Sequence, residues 1–112
     1  MHYESLDVYQ VAIRFLVLAA KIIESCQKDN SSLMDQFHRA SYSIPLNIGE
    51  AAGKPSENDR KRYFANARGS AMECNAILDV IRVLGIYSKH CDLDEGKDLL
   101  NREVGMLTKL CR

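Results

Sequence analysis

Five polar residues, Gln36, Arg39, Ser43, Asn47 and Glu50, follow one another at spacings of 3, 4, 4 and 3. Such spacing places all five on one face of a helix. Arg62, Asn66, Gly69 and Glu73 repeat the arrangement further along the chain. Arg39 and Arg68 can each fork onto a carboxylate such as Glu50 or Glu73 through paired hydrogen bonds. The specific reading is an ordered polar network, either between two helices or across a subunit interface. The plain reading is a wet surface whose ion pairs contribute under about 1 kcal/mol each. Periodicity alone does not separate the two. A solvated helix face usually favours Lys and Glu, whereas this one uses Gln, Ser, Asn and Arg. Small residues (Ala40, Gly49, Gly69, Ser70) stand close by and let helices approach.

Two carboxylates and an arginine also invite a catalytic reading, which the rest of the sequence does not support. No nucleophile–base pair, phosphate loop or metal-ligand spacing accompanies them, and the stripe holds no histidine. His38 falls between the polar and apolar faces, where a packing role is the more ordinary one. Of the four cysteines, Cys26, Cys74, Cys91 and Cys111, none forms a Cys-x-x-Cys pair, and only Cys91 has a histidine beside it, His90. Adjacent residues at a helix end usually point apart. The expectation is reduced, partly buried thiols, no metal, no cofactor and no enzyme.

One stretch is locally basic. Lys54, Arg60, Lys61, Arg62 and Arg68 stand against Glu57 and Asp59, with Tyr63 and Phe64 interleaved. Repeated around a ring of identical subunits, such a patch could contact phosphates. The plain alternative is a solvated helix start, although cations at a helix N-terminus are mildly unfavourable. Over the whole chain 15 basic residues balance 15 acidic ones, for a net charge of zero. That argues against a surface devoted entirely to nucleic acid or anionic lipid.

The elements that position these residues are all helical. With 112 residues, 46% apolar and 27% charged, the chain has room for one domain, residues 1–112, and for a core. Val11 to Ile23 is broken by Arg14 and Lys21, so no membrane span is expected. Met1-His2-Tyr3-Glu4 lacks the basic and apolar regions of a signal peptide, which points to the cytoplasm.

Ser5 or Asp7 can cap a first helix from about Val8 to about Cys26. Gln27 to Ser32 reads as a loop, and Ser32 with Asp35 has the spacing of a capping box. A second helix follows from about Leu33 to about Ala52, with Leu33, Phe37, Ala40, Ile44, Ile48 and Ala51 as its core stripe. Pro45 inside it predicts a kink rather than a break, because the stripe continues in phase on both sides. Gly53 and Pro55 end that helix. Ser56 caps a third, from about Glu57 to about Leu84, with a stripe of Tyr63, Ala67, Ser70, Ala71, Cys74, Ile77, Leu78, Ile81 and Leu84. Gly85 stands where a left-handed C-cap is expected. Tyr87 to Cys91 form the last loop, and Asp92 with Glu95 opens a fourth helix carrying Leu93, Leu100, Val104, Leu107, Leu110 and Cys111. Gly96 and Gly105 weaken it by about 1 kcal/mol each relative to alanine. No strand pattern appears. The fold class is all-α, an antiparallel up-down four-helix bundle with a kinked second helix.

The first helix carries a surplus of apolar surface. Tyr9, Ala12, Ile13, Leu16, Ala19, Ala20 and Ile23 make one stripe; Val8, Val11, Phe15, Leu18 and Ile22 make another beside it. A core-facing helix needs only one. The second stripe marks a partner surface, with Phe15, Leu18 and Ile22 as oligomer contacts, the plain alternative being a central helix covered by two neighbours.

Three motifs together resemble those of the 23S rRNA intervening sequence proteins, a four-helix-bundle family. Ser5-Leu6-Asp7-Val8-Tyr9, followed by Ala12, resembles that family's entry to helix one. Gln36, Arg39, Ala40, Ser43, Ile44, Pro45, Asn47, Ile48 and Glu50 stand at the places of its helix-two signature. Ala67-Arg68-Gly69-Ser70 with Glu73 matches its helix-three signature, and Leu84-Gly85-Ile86-Tyr87 the end of that helix. Ala51 replaces a common glycine, and His38 a residue that is often basic. The resemblance implies a homo-oligomer, a pentameric ring, with no enzymatic activity. It also implies kinship with the accessory variability proteins of diversity-generating retroelements, basic rings that engage a reverse transcriptase and nucleic acid.

The expectation is therefore a non-enzymatic, self-assembling interaction or scaffold protein. The alternative is a nucleic-acid-binding accessory protein using Lys54, Arg60, Lys61, Arg62 and Arg68. A third reading, a small-molecule pocket lined by the polar stripe, is the weakest.

Overall fold

A computed structural model of the chain describes residues 3–26, 28–88 and 90–112, the side chains of Ser5 and Lys28 excepted. Met1, His2, Gln27 and Lys89, which belong to the N-terminus and two loops considered above, lie outside the described residues. Four helices account for nearly all the rest: α1 (Asp7–Ser25), α2 (Ser31–Ala52), α3 (Glu57–Leu84) and α4 (Leu93–Leu110). Single 3-10 turns, Tyr3–Ser5 and Lys28–Asn30, precede α1 and α2. Among the described residues there is no strand, and the fold is an all-α four-helix bundle. At 28 residues, α3 alone spans about 42 Å at the helical rise, matching the long dimension of 43 Å.

The helix ends divide into two kinds. Ser56 accepts from the Asp59 backbone N–H at 3.3 Å, and Asp92 accepts from that of Glu95 at 2.9 Å, so α3 and α4 start on the side-chain caps their sequences announce. The first two helices do not. The N-cap positions of α1 and α2 are Leu6 and Asn30, and neither makes a side-chain capping bond. Asp7 and Ser32 lie inside their helices instead of capping them. At the other ends, Gly85 closes α3 with φ at +62°, a conformation costly for any residue with a Cβ. Gly53, expected in the same role, keeps a right-handed backbone.

α2 continues through Pro45, whose ring is buried. Each helix packs against two others: α2 and α4 both contact α1 and α3, and α2 with α3 is the most extensive contact. Ser43 meets Ser70 where Arg39 meets Glu73. Asn75, Asp79 and Arg82 meet Asn101, Lys97 and Asp94 in turn. Along both helix pairs, residue numbers rise on one helix as they fall on the other.

The core is built from Phe15, Ile22, Phe37, Ile44, Ile48, Leu78, Ile81, Leu100 and Leu107, all fully buried. The Phe15 and Phe37 rings meet edge-on with centroids 6.2 Å apart. Ala40, Ala67 and Ala71, also fully buried, allow the close approach of α2 and α3. Gly96 does the same for α4: a Cβ there would lie 3.1 Å from Leu78 Cδ1 and 3.5 Å from Leu18 Cδ2. What weakens α4 as an isolated helix lets it seat against α1 and α3.

Several stripe assignments are corrected by this packing. Phe15 and Ile22, expected as oligomer contacts, are core residues of the protomer itself, so neither can meet a second subunit without opening the bundle. Leu18 is half-buried where α1 and α4 meet. Of the other stripe, Ala12 and Ala19 are buried as well, Tyr9, Ile13, Leu16 and Ile23 are half-buried, and Ala20 is exposed. Both stripes are apolar, and rotating α1 by roughly 100° exchanges them. In α3, Phe64 is buried where Tyr63 was expected, and Leu84 is exposed. In α4, Val104 is half-buried and Leu110 exposed, while Glu103 occupies the core.

Candidate functional site

The polar stripe does join α2 to α3, over a shorter length than its sequence suggests. Arg39 Nη2 donates to Glu73 Oε2 at 3.0 Å, and Gln36 Nε2 donates to the same oxygen at 3.2 Å. One turn further, the Ser43 and Ser70 hydroxyls share a hydrogen bond of 2.5 Å. Asn47 turns back to its own helix, donating to the Ser43 carbonyl at 2.8 Å. Glu50 is not reached by an arginine; its neighbour is Lys54 at 3.5 Å, one turn on in sequence. Among the described residues Arg68 makes no ion pair or side-chain hydrogen bond.

Arg39 is more than half exposed, so its pair with Glu73 belongs to the weak class of surface ion pairs. Arg39→Ala is expected to cost about 0.5–1 kcal/mol in urea denaturation with the m-value unchanged, and Arg68→Ala less. A loss of several kcal/mol from either would mean a buried network.

The basic segment is largely engaged by its own surroundings. Lys61 pairs with Glu57 at 3.3 Å and Arg62 with Asp59 at 3.4 Å. Arg60 donates to the Lys54 and Pro55 carbonyls, both at 2.9 Å. Lys54 also lies 5.0 Å from the centre of the Tyr63 ring. These contacts account for cations at the start of α3. Local carboxylates and the carbonyls of the preceding turn hold them against the helix dipole.

Two further surfaces are apolar. Between α1 and α2 runs an open groove of about 450 Å³ lined by Tyr3, Tyr9, Ile13, Leu16, Tyr42, Pro45, Leu46, Gly49 and Glu50. Leu46 at its edge is 61% exposed. Along the same side of α1, Val17 is 55% exposed beside Ala20, Ile23 and His38. His38, itself exposed, meets the Tyr42 ring edge-on at 5.2 Å. A second apolar face lies on the outside of α3. Ala65, Gly69, Met72, Ala76 and Val83 fall at spacings of 4, 3, 4 and 7, with Val80 beside them. Val83 there is 85% exposed.

One interior group stands out. Glu103 is 1% exposed, and neither carboxylate oxygen has a hydrogen-bond partner. Burial raises its pKa to about 8, opposed by the charge on neighbouring Arg102. Sequence reading missed it because a glutamate in a helix is by default a solvated residue. The available signal was its position: Gly96, Leu100, Glu103 and Leu107 follow at spacings of 4, 3 and 4. Cys74 is also buried, and its thiol is pushed up to about 12 by that burial and by Glu73. Among the described residues no three metal-binding side chains gather, His90 and Cys91 included.

The chain is a small all-α bundle whose open surfaces include an apolar groove, an apolar helix face and a short polar seam. Its class is that of small all-α four-helix bundles. The family model for 23S rRNA-intervening sequence proteins matches residues 4–109, nearly the whole chain, and the chain belongs to that family. No curated protein matches the chain. Among the described residues no helix is long and apolar enough to cross a membrane.

Proposed function

We propose that this protein is a non-enzymatic bundle that assembles with copies of itself and acts as a scaffold or interaction module in the cytoplasm. The observation that carries this reading is the pair of separate apolar faces, one on α1 and α2 and one on α3. Two different faces on one protomer suit head-to-tail contacts, which close into a ring when the rotation allows, a pentamer among the options. Leu46 and Val17 on one face, and Met72 and Val83 on the other, replace Phe15 and Ile22 as the contact residues. A net charge of zero and four free cysteines are compatible with self-association in a reducing compartment.

The test is absolute mass by light scattering at low and high salt, with bound nucleic acid read from the absorbance ratio. The expected result is a salt-resistant multiple of the 12.7 kDa chain, reduced to a single chain by Leu46→Glu. A wild-type monomer overturns the proposal. The second reading is a nucleic-acid accessory protein, with or without a reverse transcriptase as partner. It rests on Arg68, the cation of the basic segment with no polar partner among the described residues. A complex that carries nucleic acid at low salt and sheds it at high salt would put this reading first.

A further inference from the structure

α4 is fastened in two different ways along its length. Its first half is tied to α3 by polar contacts: Arg82 with Asp94 at 2.6 Å, Asp79 with Lys97, and Asn75 with Asn101 at 3.1 Å. Beyond Asn101, the described residues offer no polar tie from α4 to any other helix. Thr108 and Cys111 bond only to carbonyls of their own helix, at 2.7 and 3.8 Å. Apolar burial alone holds this second half, chiefly through Leu107. In the middle of that buried stripe sits Glu103, with two orphaned oxygens.

We propose that Glu103 is a proton-operated latch: protonated, it lets the second half of α4 dock on α1 and α3, and ionised, it releases that half.

The charges on the packed helices leave Glu103 without a counter-ion. On α3, Glu73 is taken by Arg39 and Gln36, while Asp79 and Arg82 are paired at the rim and Cys74 carries no charge. On α1, Asp7, Arg14 and Lys21 are exposed and Tyr9 is half-buried. On α4, Asp98 and Lys109 are exposed, and Arg102 alone acts on the carboxyl, partly opposing the effect of burial. An unpaired charge buried among apolar groups is far costlier than the neutral acid. The docked pKa lies near 8 and the undocked one near the ordinary 4.5. Docking is thus strongest below about pH 4.5, weakens as pH rises, and levels off above about 8. Between pH 5 and pH 9 the docking equilibrium falls on the order of a thousandfold.

Hydrogen exchange of the wild-type protein at pH 5 and pH 9, corrected for the intrinsic pH dependence of exchange, tests this directly. The amides of residues 103–110 are expected to lose at least a hundredfold in protection at pH 9, while those of 94–101 hold theirs. In Glu103→Leu and Glu103→Gln the difference between the halves disappears; either variant suffices should the other not fold. Equal loss over all four helices at pH 9, or no pH-dependent loss in residues 103–110, overturns the latch.

Discussion

Phe37→Ala is expected to remove about 3–5 kcal/mol of stability, a large share of the roughly 5–15 kcal/mol available to a domain of this size. Phe37 is fully buried and meets Phe15 edge-on, joining α2 to α1. Truncation deletes the transferred ring surface and leaves a cavity that the neighbouring helices close only in part. The loss should appear as a lower urea midpoint with an unchanged m-value, and as a melting temperature lower by about 10–20 °C. A cost below about 1 kcal/mol would mean that the two rings do not pack in this core. Phe15→Ala should cost a similar amount in the monomer, because Phe15 belongs to the same cluster. Had it been a subunit contact, its removal would change mass rather than stability.

Glu103→Leu is expected to stabilise the protein, by about 1 kcal/mol at pH 5 and by about 4–5 kcal/mol at pH 9. The neutral acid already forfeits hydrogen bonds on burial, and a leucine of similar size does not. The pH dependence comes from linkage. A folded pKa near 8 against an ordinary value of 4.5 means that the folded state holds its proton more tightly than the unfolded state. Wild-type stability contributed by this group is complete below about pH 4.5 and is lost as pH rises through 8. The variant lacks the titration, so its urea midpoint should be flat over that range where the wild type declines. A variant less stable than wild type at pH 9 would show that Glu103 has a partner in solution. The measurement also separates global stability from the local release of α4, which hydrogen exchange reads helix by helix.

The two proposals are independent in their tests. Self-assembly concerns Leu46, Val17, Met72 and Val83 on the outside of the bundle and is read as mass. The latch concerns Glu103 inside it and is read as protection. A monomeric protein would leave the latch standing, and a pH-insensitive α4 would leave the assembly standing.

Much of the architecture is written locally. Ser56 and Asp92 accept from the amides three residues on, and Gly85 adopts the left-handed turn, because caps depend on neighbours in sequence. Helical spacing identified the core of α2 for the same reason: Phe37, Ala40, Ile44, Ile48 and Ala51 form a long apolar stripe, although at its start Met34 is buried and Leu33 only half-buried. Local pattern also placed Gln36, Arg39 and Ser43 on a face that meets α3. It could not choose among Glu50, Glu73 and Arg68 as partners, since reach across a helix pair depends on register. Packing gave Glu73 to Arg39 and left Glu50 to Lys54.

Tertiary structure alone decided the orientation of α1. Two adjacent stripes of equal apolarity present no local reason to bury one, and the positions of α2 and α4 turned Phe15 and Ile22 inward. The same holds for Glu103. Its charge marks it as surface, but Leu100 and Leu107 on either side commit that face of α4 to the core, and the glutamate is carried in with them. A helix buries a whole face at once, so a residue's fate follows its position on the helix more than its own polarity.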